Sequence, residues 1–379
     1  AFSILLQRLK RGRTEQSMIM TGLRGVGKTV LLNRFAELAE MAGWESIELE
    51  ASKHDETAFR QSIFSKFRAA LLHISPRRRW SERARHAAEV LSSFVLSIDQ
   101  SGTFSVTWDV DPSEGYGDHG DLGLDLTDVF LAVGEVAKEK GTGIVLLIDE
   151  VQFLTTVQLE SLIQAVHKSV QKKLPITFVG AGLPQIAELA GDAKSYAERL
   201  FKFPRIDSLT PEEARQALVG PAETENVSYD EDAVDLAVSL THGYPYFIQE
   251  LGYQAWIVAS GNHITAEDIS TAKDAYEAKL DGSFFRVRLD RATPLQTAYM
   301  RAMAELGSEP QKAADVASLM KRESSQVAPI RSQLIDMGLL YTPQHGYAAF
   351  TVPDFDKFMM RAVPHLEVPE IQHRRRRKK

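Results

Sequence analysis

SMIMTGLRGVGKTVLLNRF, Ser17 to Phe35, decides how the rest of this chain is read. Within it Gly22, Leu23, Arg24, Gly25, Val26, Gly27, Lys28 and Thr29 fit the pattern G-x-x-x-x-G-K-[ST] at every fixed position. Met18 to Met20 reads as a short buried strand entering the loop. Val30, Leu31, Leu32, Phe35 and Leu38 then recur at helical spacing, so a helix leaves it. Glycines let a backbone fold closely around an anion, and the helix that follows adds free N–H groups and the positive end of its dipole. In such a loop Lys28 reaches the outer phosphates of a nucleotide, and the Thr29 hydroxyl can hold Mg²⁺. A glycine-rich turn that happens to carry Lys-Thr would not need the strand before it or the helix after it. The stretch reads as a nucleoside-triphosphate site that takes Gly22 to Val30 as its cradle.

The second half of such a site is a carboxylate at the end of a neighbouring strand. Gly143-Ile-Val-Leu-Leu-Ile-Asp149-Glu150 is a continuous apolar run ending in two acids, which marks a parallel strand covered on both faces. Asp149 takes the metal-linked role, and Glu150 polarises the attacking water as general base. The bland alternative is a pair of acids that merely ends a strand at the surface.

At 379 residues, two or three domains are expected. Hydrophobic content of 44% and charged content of 25% are those of a globular protein. The absence of cysteine excludes disulfides, thiolate metal sites and cysteine nucleophiles. The histidines form no close pair, so the Mg²⁺ that accompanies a nucleotide is the expected metal. No apolar run approaches the ~18 residues of a membrane span, and a cytoplasmic protein is expected. The chain begins at Ala1 rather than at Met, so a trimmed start is expected. Phe2, Leu5, Leu6 and Leu9 share a helical face with basic neighbours but lack the cleavage site of a targeting peptide.

The net charge of −7 hides an asymmetry, because Arg374 to Lys379 carries six positive charges; without them the balance is 38 basic against 51 acidic residues, or −13. An acidic body with a basic end confines any polyanion contact to a local surface.

Ser46 to Glu50 alternates as a second strand, and Thr57 to Ile74 and Glu82 to Leu91 read as helices around the basic run Arg77 to Arg79. Phe94 to Ile98 and Thr103 to Trp108, joined by Asp-Gln-Ser-Gly, read as a hairpin inserted near 94–109, with Asp111 to Gly123 as a loop. Leu126 to Lys138 and Val157 to Lys172 are helical, Pro175 to Gly180 is a buried strand, and Leu200 to Phe203 a fifth. Alternating strands and helices predict an α/β domain with a parallel sheet.

From Pro211 the chain turns helical, with 3 basic and 14 acidic residues up to Gly282, a surface that should not face nucleic acid. Thr293 to Val363 then reads helix, short helix, helix, strand, turn, strand, helix, the pattern of a winged helix-turn-helix. Its third helix, Ser324 to Met337, is expected to be capped by Ser324 or Ser325. The division is therefore 1–208 nucleotide-binding, 209–285 helical lid, 286–365 winged helix and 366–379 basic tail.

A loop reading GLRGVGKT, a strand ending IDE and a helical domain after the sheet resemble the AAA+ family of P-loop ATPases. The terminal winged helix resembles the branch of archaeal and eukaryotic origin-recognition initiators, and the related STAND signalling ATPases are also similar. The resemblance spans Ser17 to Val363 and implies ATP or ADP as ligand with Mg²⁺. It implies Arg199 as an arginine finger acting on a neighbouring subunit in a homo-oligomer; the alternative is an arginine at a helix end paired with Glu198. Two departures stand out. Gly180-Ala181-Gly182 offers no Asn or Thr where a first sensor would sit, which leaves Gln185 as the nearest candidate. Thr241-His-Gly-Tyr244-Pro245-Tyr replaces a second-sensor arginine with the Gly-x-Pro of the STAND branch, whose proline touches the nucleotide. Both favour slow hydrolysis and a switch. The upstream motif that helps hold adenine in the family is absent.

Lys321, Arg322, Ser325, Gln326 and Arg331 cluster at the start and side of the third C-terminal helix, where a recognition helix meets double-stranded DNA. Arg286 to Arg361 carries 10 basic and 8 acidic residues, only +2, so a winged helix that contacts protein is the alternative. The tail would add sequence-blind phosphate attraction.

Overall fold

A strand buried on both faces needs an apolar partner on each side, and Ile144 to Ile148 shows how the chain supplies them. In the computed structural model, which describes residues 1–51, 56–96, 110–194 and 197–369, these five side chains are almost wholly buried. Ile144, Leu146 and Ile148 join one core with Phe67, Phe130 and Ile163; Val145 and Leu147 join the other with Leu5, Leu32 and Ala36. The period-2 alternation of a strand thus feeds two hydrophobic layers.

The strands are β1 (Ser17–Thr21), β2 (Glu45–Glu50), β3 (Ile144–Asp149), β4 (Ile176–Gly182) and β5 (Phe201–Lys202). They form one parallel sheet in the order β2-β3-β4-β1-β5. The α/β class and parallel sheet expected from the sequence are borne out. Register sets Glu50 beside Asp149 and Thr21 beside Gly182, so the carboxyl ends of β1 to β4 share one edge. The helices of this unit are α1 (Phe2–Lys10), α2 (Lys28–Met41), α3 (Glu56–Ile74), α4 (Glu82–Leu96), α5 (Leu122–Glu139), α6 (Thr156–Gln171), α7 (Ile186–Ala193) and α8 (Ala197–Leu200). On α1, the buried Phe2 stacks on Phe35 of α2 at 4.4 Å between ring centroids, which ties the amphipathic start to the core.

One expectation is overturned here. Phe94 to Leu96 does not begin a hairpin but completes α4. Phe94 is fully buried and packs under the Arg60 guanidinium, 4.8 Å from its ring, so tertiary burial outweighs the β-propensity of Phe-Val. The rest of the expected hairpin lies outside the described residues. Arg60, itself buried, also pairs with the fully buried Asp125 at 2.9 Å and donates to the Phe94 carbonyl. This charge pair links α3, α4 and α5. Leu200 belongs to α8 rather than to the fifth strand.

A second compact unit runs from Asp207 onward and includes Leu23–Gly27. It holds α9 (Pro211–Thr224), α10 (Glu231–Thr241), α11 (Pro245–Val258) and α12 (Ala266–Lys279), with β6 (Ser228–Tyr229) paired to β7 (His263–Ile264). Pro211 opens α9 behind a Thr210–Glu213 capping box, as its sequence predicts. A wide turn, Leu280–Phe285, leads through α13 (Arg286–Leu289) to α14 (Pro294–Leu306). There follow β8 (Gln311–Lys312), α15 (Ala313–Leu319), α16 (Ser324–Asp336), β9 (Leu340–Tyr341), β10 (Tyr347–Phe350) and α17 (Phe355–Ala362). The last strands form an antiparallel sheet in the order β8-β10-β9, so β8 adds a strand that the sequence did not signal. Among the described residues, no helix is long and apolar enough to cross a membrane.

Candidate nucleotide site

The loop between β1 and α2 needs glycine twice: Gly25 and Gly27 have φ of +86° and +91°, a region that other L-residues enter at a cost. Lys28 opens α2, is 93% covered and donates from Nζ to the Gly22 carbonyl at 3.0 Å. One residue on, the Thr29 hydroxyl donates to Asp149 Oδ2 at 2.5 Å. These two side chains are 120 positions apart in sequence and meet because β3 ends beside the start of α2. Asp149 Oδ1 accepts the Glu150 N–H at 2.8 Å. Val30, also assigned to the cradle, is exposed on the outside of α2.

A cavity of about 340 Å³ opens here, lined by Thr29, Asn33, Glu48, Glu50, Asp149 and Glu150 among others. With this many carboxylates on its wall, an anion can approach only with a cation between. A hydroxyl and a carboxylate are the hard oxygen donors that Mg²⁺ takes. The donor set therefore fits the metal that the loop implies.

Glu150 adopts a left-handed backbone conformation, φ 53° and ψ 39°, where the strand breaks into a short 3₁₀ turn, Val151–Phe153. The Gln152 amide donates to the Glu150 carboxylate and accepts the Leu183 N–H on its own oxygen, the latter at 3.0 Å. Gln185 caps α7, and its Oε1 is buried with no hydrogen-bond partner among the described residues. Arg199 is exposed on α8; its carbonyl accepts from Gln16 Nε2 at 3.0 Å.

In the second unit Gly25 packs on the Thr241–Tyr246 stretch. A Cβ at Gly25 would stand 3.1 Å from Tyr244 Oη and 3.2 Å from Tyr246 Cβ. Tyr244 is fully buried, and burial pushes its phenol well above the usual range. Its Oη lacks a hydrogen-bond partner among the described residues, and Pro245 follows as the first residue of α11. The Arg24 N–H donates to the Thr351 carbonyl at 3.2 Å. Leu23 and Val26 belong to the same loop tip, Val26 buried.

The C-terminal candidates come together less cleanly. The cap of α16 is Glu323, not Ser324 or Ser325: its side chain accepts the Gln326 N–H, and Gln326 reaches back to its backbone. A carboxylate does this better than a hydroxyl because it also meets the positive end of the helix. Gln326 is thereby held in the cap, and the Ser325 hydroxyl turns to Glu323 at 3.4 Å. Arg322 donates to the Pro369 carbonyl, Arg331 is half-buried, and Lys321 is exposed in a left-handed turn. The tail beyond 369 lies outside the described residues.

Residues 1–179 match the family model of the AAA ATPase domain. The match takes in the loop Gly22–Thr29 and the strand end Asp149–Glu150. Residues 282–359 match a family described as a domain of unknown function, DUF8462. No curated protein sequence matches the chain. Among solved structures, the chain is similar to the RuvB Holliday junction branch migration motor of Thermotoga maritima (15% identity, TM-score 0.48, 97% of this chain and 93% of that one). Orc1 of Aeropyrum pernix, in complex with DNA, gives 14% identity and a TM-score of 0.42 over 95% of this chain and 90% of that one. Cdc6p from Pyrobaculum aerophilum gives 15% identity and a TM-score of 0.43 over 95% of this chain and 91% of that one. Sequence reading of the site missed Gln152. Its only signal is its place two residues after Glu150, which shows its use once the backbone turns left-handed there.

Proposed function

We propose that the protein is a Mg²⁺-dependent AAA-type ATPase, a slow switch that positions its C-terminal winged helix on double-stranded DNA. The reading rests above all on the Thr29–Asp149 contact at 2.5 Å beside the covered Lys28. Lys28 and the loop Gly22–Val30 hold the phosphates of ATP or ADP, and Glu150 orients the attacking water and takes its proton. Thr29 and Asp149 hold Mg²⁺, which neutralises phosphate charge when bound. Gln185, with its free buried oxygen, reads the phosphate end, and Tyr244 and Pro245, packed near Gly25, report nucleotide state to the lid. Arg199, exposed, acts on a neighbouring copy in a homo-oligomer. The working parts are 1–208, 209–285, 286–365 and the basic tail 366–379.

The order β8-β10-β9 with α14, α15 and α16 supports the winged-helix reading, in which α16 enters the major groove. A second reading, a STAND-like regulator whose winged helix contacts protein, is favoured by the acidic Glu323 cap and the engaged Arg322. Duplex DNA titrated against salt separates the two. DNA affinity that falls steeply with salt, and weakens when Lys321, Arg322 and Arg331 are changed together, supports the first. Affinity lost only on removing the tail refutes it.

A further inference from the structure

The tip of β4 carries Gly180-Ala181-Gly182, without the polar side chain that would face a phosphate, and the structure shows what fills the space. A Cβ at Gly182 would lie 2.8 Å from Gln152 Oε1. The Gln152 side chain, arriving from the turn after β3, lies over the bare end of β4. Its oxygen accepts the Leu183 N–H at 3.0 Å, and its nitrogen donates to the Glu150 carboxylate. Only one orientation of the amide satisfies both partners, because a backbone N–H needs an acceptor and a carboxylate needs a donor. The backbone of Glu150 is left-handed, which turns its side chain toward that amide.

We infer that Gln152 is the positioning residue for Glu150, and that it couples the carboxylate to the end of β4 in place of a polar residue on β4 itself. The inference rests on the nucleotide reading above, in which Glu150 activates water. Gln152 touches neither nucleotide nor water in this role; it fixes the direction in which Glu150 presents its oxygens. Without the bond from Gln152 the carboxylate spends less time aimed at the water, so the chemical step slows while nucleotide binding is untouched. The bare Gly182 is part of the device, since any side chain there would displace the amide.

The test is steady-state ATP hydrolysis with full-length protein, together with nucleotide affinity measured by fluorescent ATP analogue. Gln152→Ala is expected to lower kcat roughly 10- to 100-fold, as loss of an outer-sphere partner does, with affinity within about twofold. Gln152→Glu keeps an acceptor for the Leu183 N–H but has no amide to donate to Glu150, so kcat falls while nucleotide affinity holds. A packing role would leave kcat of this near-isosteric variant at the wild-type value. Gly182→Ala is the check on misfolding: the atom it meets is the end of a flexible side chain, so the fold stays intact while kcat falls. Turnover by wild type with an unchanged kcat in Gln152→Ala, Gln152→Glu and Gly182→Ala overturns the inference and leaves the nucleotide reading standing. A wild-type protein that neither binds nor hydrolyses ATP overturns both.

Discussion

Replacing Gly243 with alanine should destabilise the second unit far more than a surface glycine change does. Gly243 has φ of +68° and follows His242, itself left-handed at +49°, in the turn that ends α10. A left-handed alanine costs about 1–2 kcal/mol. An alanine Cβ would also stand 2.3 Å from the Leu209 carbonyl oxygen, a backbone atom that cannot rotate away. Relief requires moving Leu209, whose N–H donates to the Gly243 carbonyl at 2.8 Å, so that bond, worth about 0.5–1.5 kcal/mol, is strained or lost. The stiffer unfolded chain returns about 0.4–1 kcal/mol. These terms come to a net loss of about 0.5–3 kcal/mol, and the clash with the Leu209 carbonyl pushes it toward the upper end. Gly191 in α7 meets nothing within 4 Å and has no positive φ, so the same change there should be neutral or stabilise by about 0.5 kcal/mol. Urea unfolding followed by far-UV circular dichroism reads both. Equal midpoints for Gly243→Ala and wild type would refute the reasoning.

The buried pair of Arg60 and Asp125 makes a second prediction. Asp125→Ala takes one carboxylate from the buried Arg60, which keeps Glu56 at 3.0 Å, and frees the His119 backbone N–H that Asp125 accepts at 2.7 Å, so stability should fall by about 1.5–3 kcal/mol, and adding Arg60→Met should restore part of it. A loss below about 1 kcal/mol in urea unfolding would contradict this. His119 should titrate above the ordinary histidine value, because Asp128 hydrogen-bonds its ring at 2.9 Å. A raised folded-state value means that the contact stabilises fully below the ordinary value of about 6.5 and fades as pH rises through the raised one. Histidine NMR should show this shift, and Asp128→Asn should remove most of it, Asp125 and Asp118 keeping a remainder; an unshifted wild-type titration would refute it.

What was legible in the sequence follows from which forces act locally. The loop at Gly22–Thr29 follows a fixed local pattern and the run Ile144–Asp149 is set by burial on two faces, so motif and hydropathy identify both. Their meeting at Thr29 and Asp149 was readable because strand-end carboxylates beside such loops follow from the topology. Phe94-Val95-Leu96 was misread because a short apolar run looks alike as strand or buried helix, and what decides it is Arg60, over 30 positions earlier in the chain. The cap of α16 went to Glu323 because helix dipole and capping box act together there, whereas residue preference alone pointed to serine. The Gln152 bridge could not be read at all: it depends on the left-handed turn at Glu150 and on the space above Gly182, both products of the folded sheet.

Binding and turnover of Mg²⁺-ATP by wild type, Lys28→Ala and Glu150→Gln test the central claim most directly. The account predicts binding and slow hydrolysis by wild type, loss of binding in Lys28→Ala, and retained binding with abolished phosphate release in Glu150→Gln. Wild-type protein indifferent to ATP and magnesium, or a Glu150→Gln variant that releases phosphate at the wild-type rate, would contradict it.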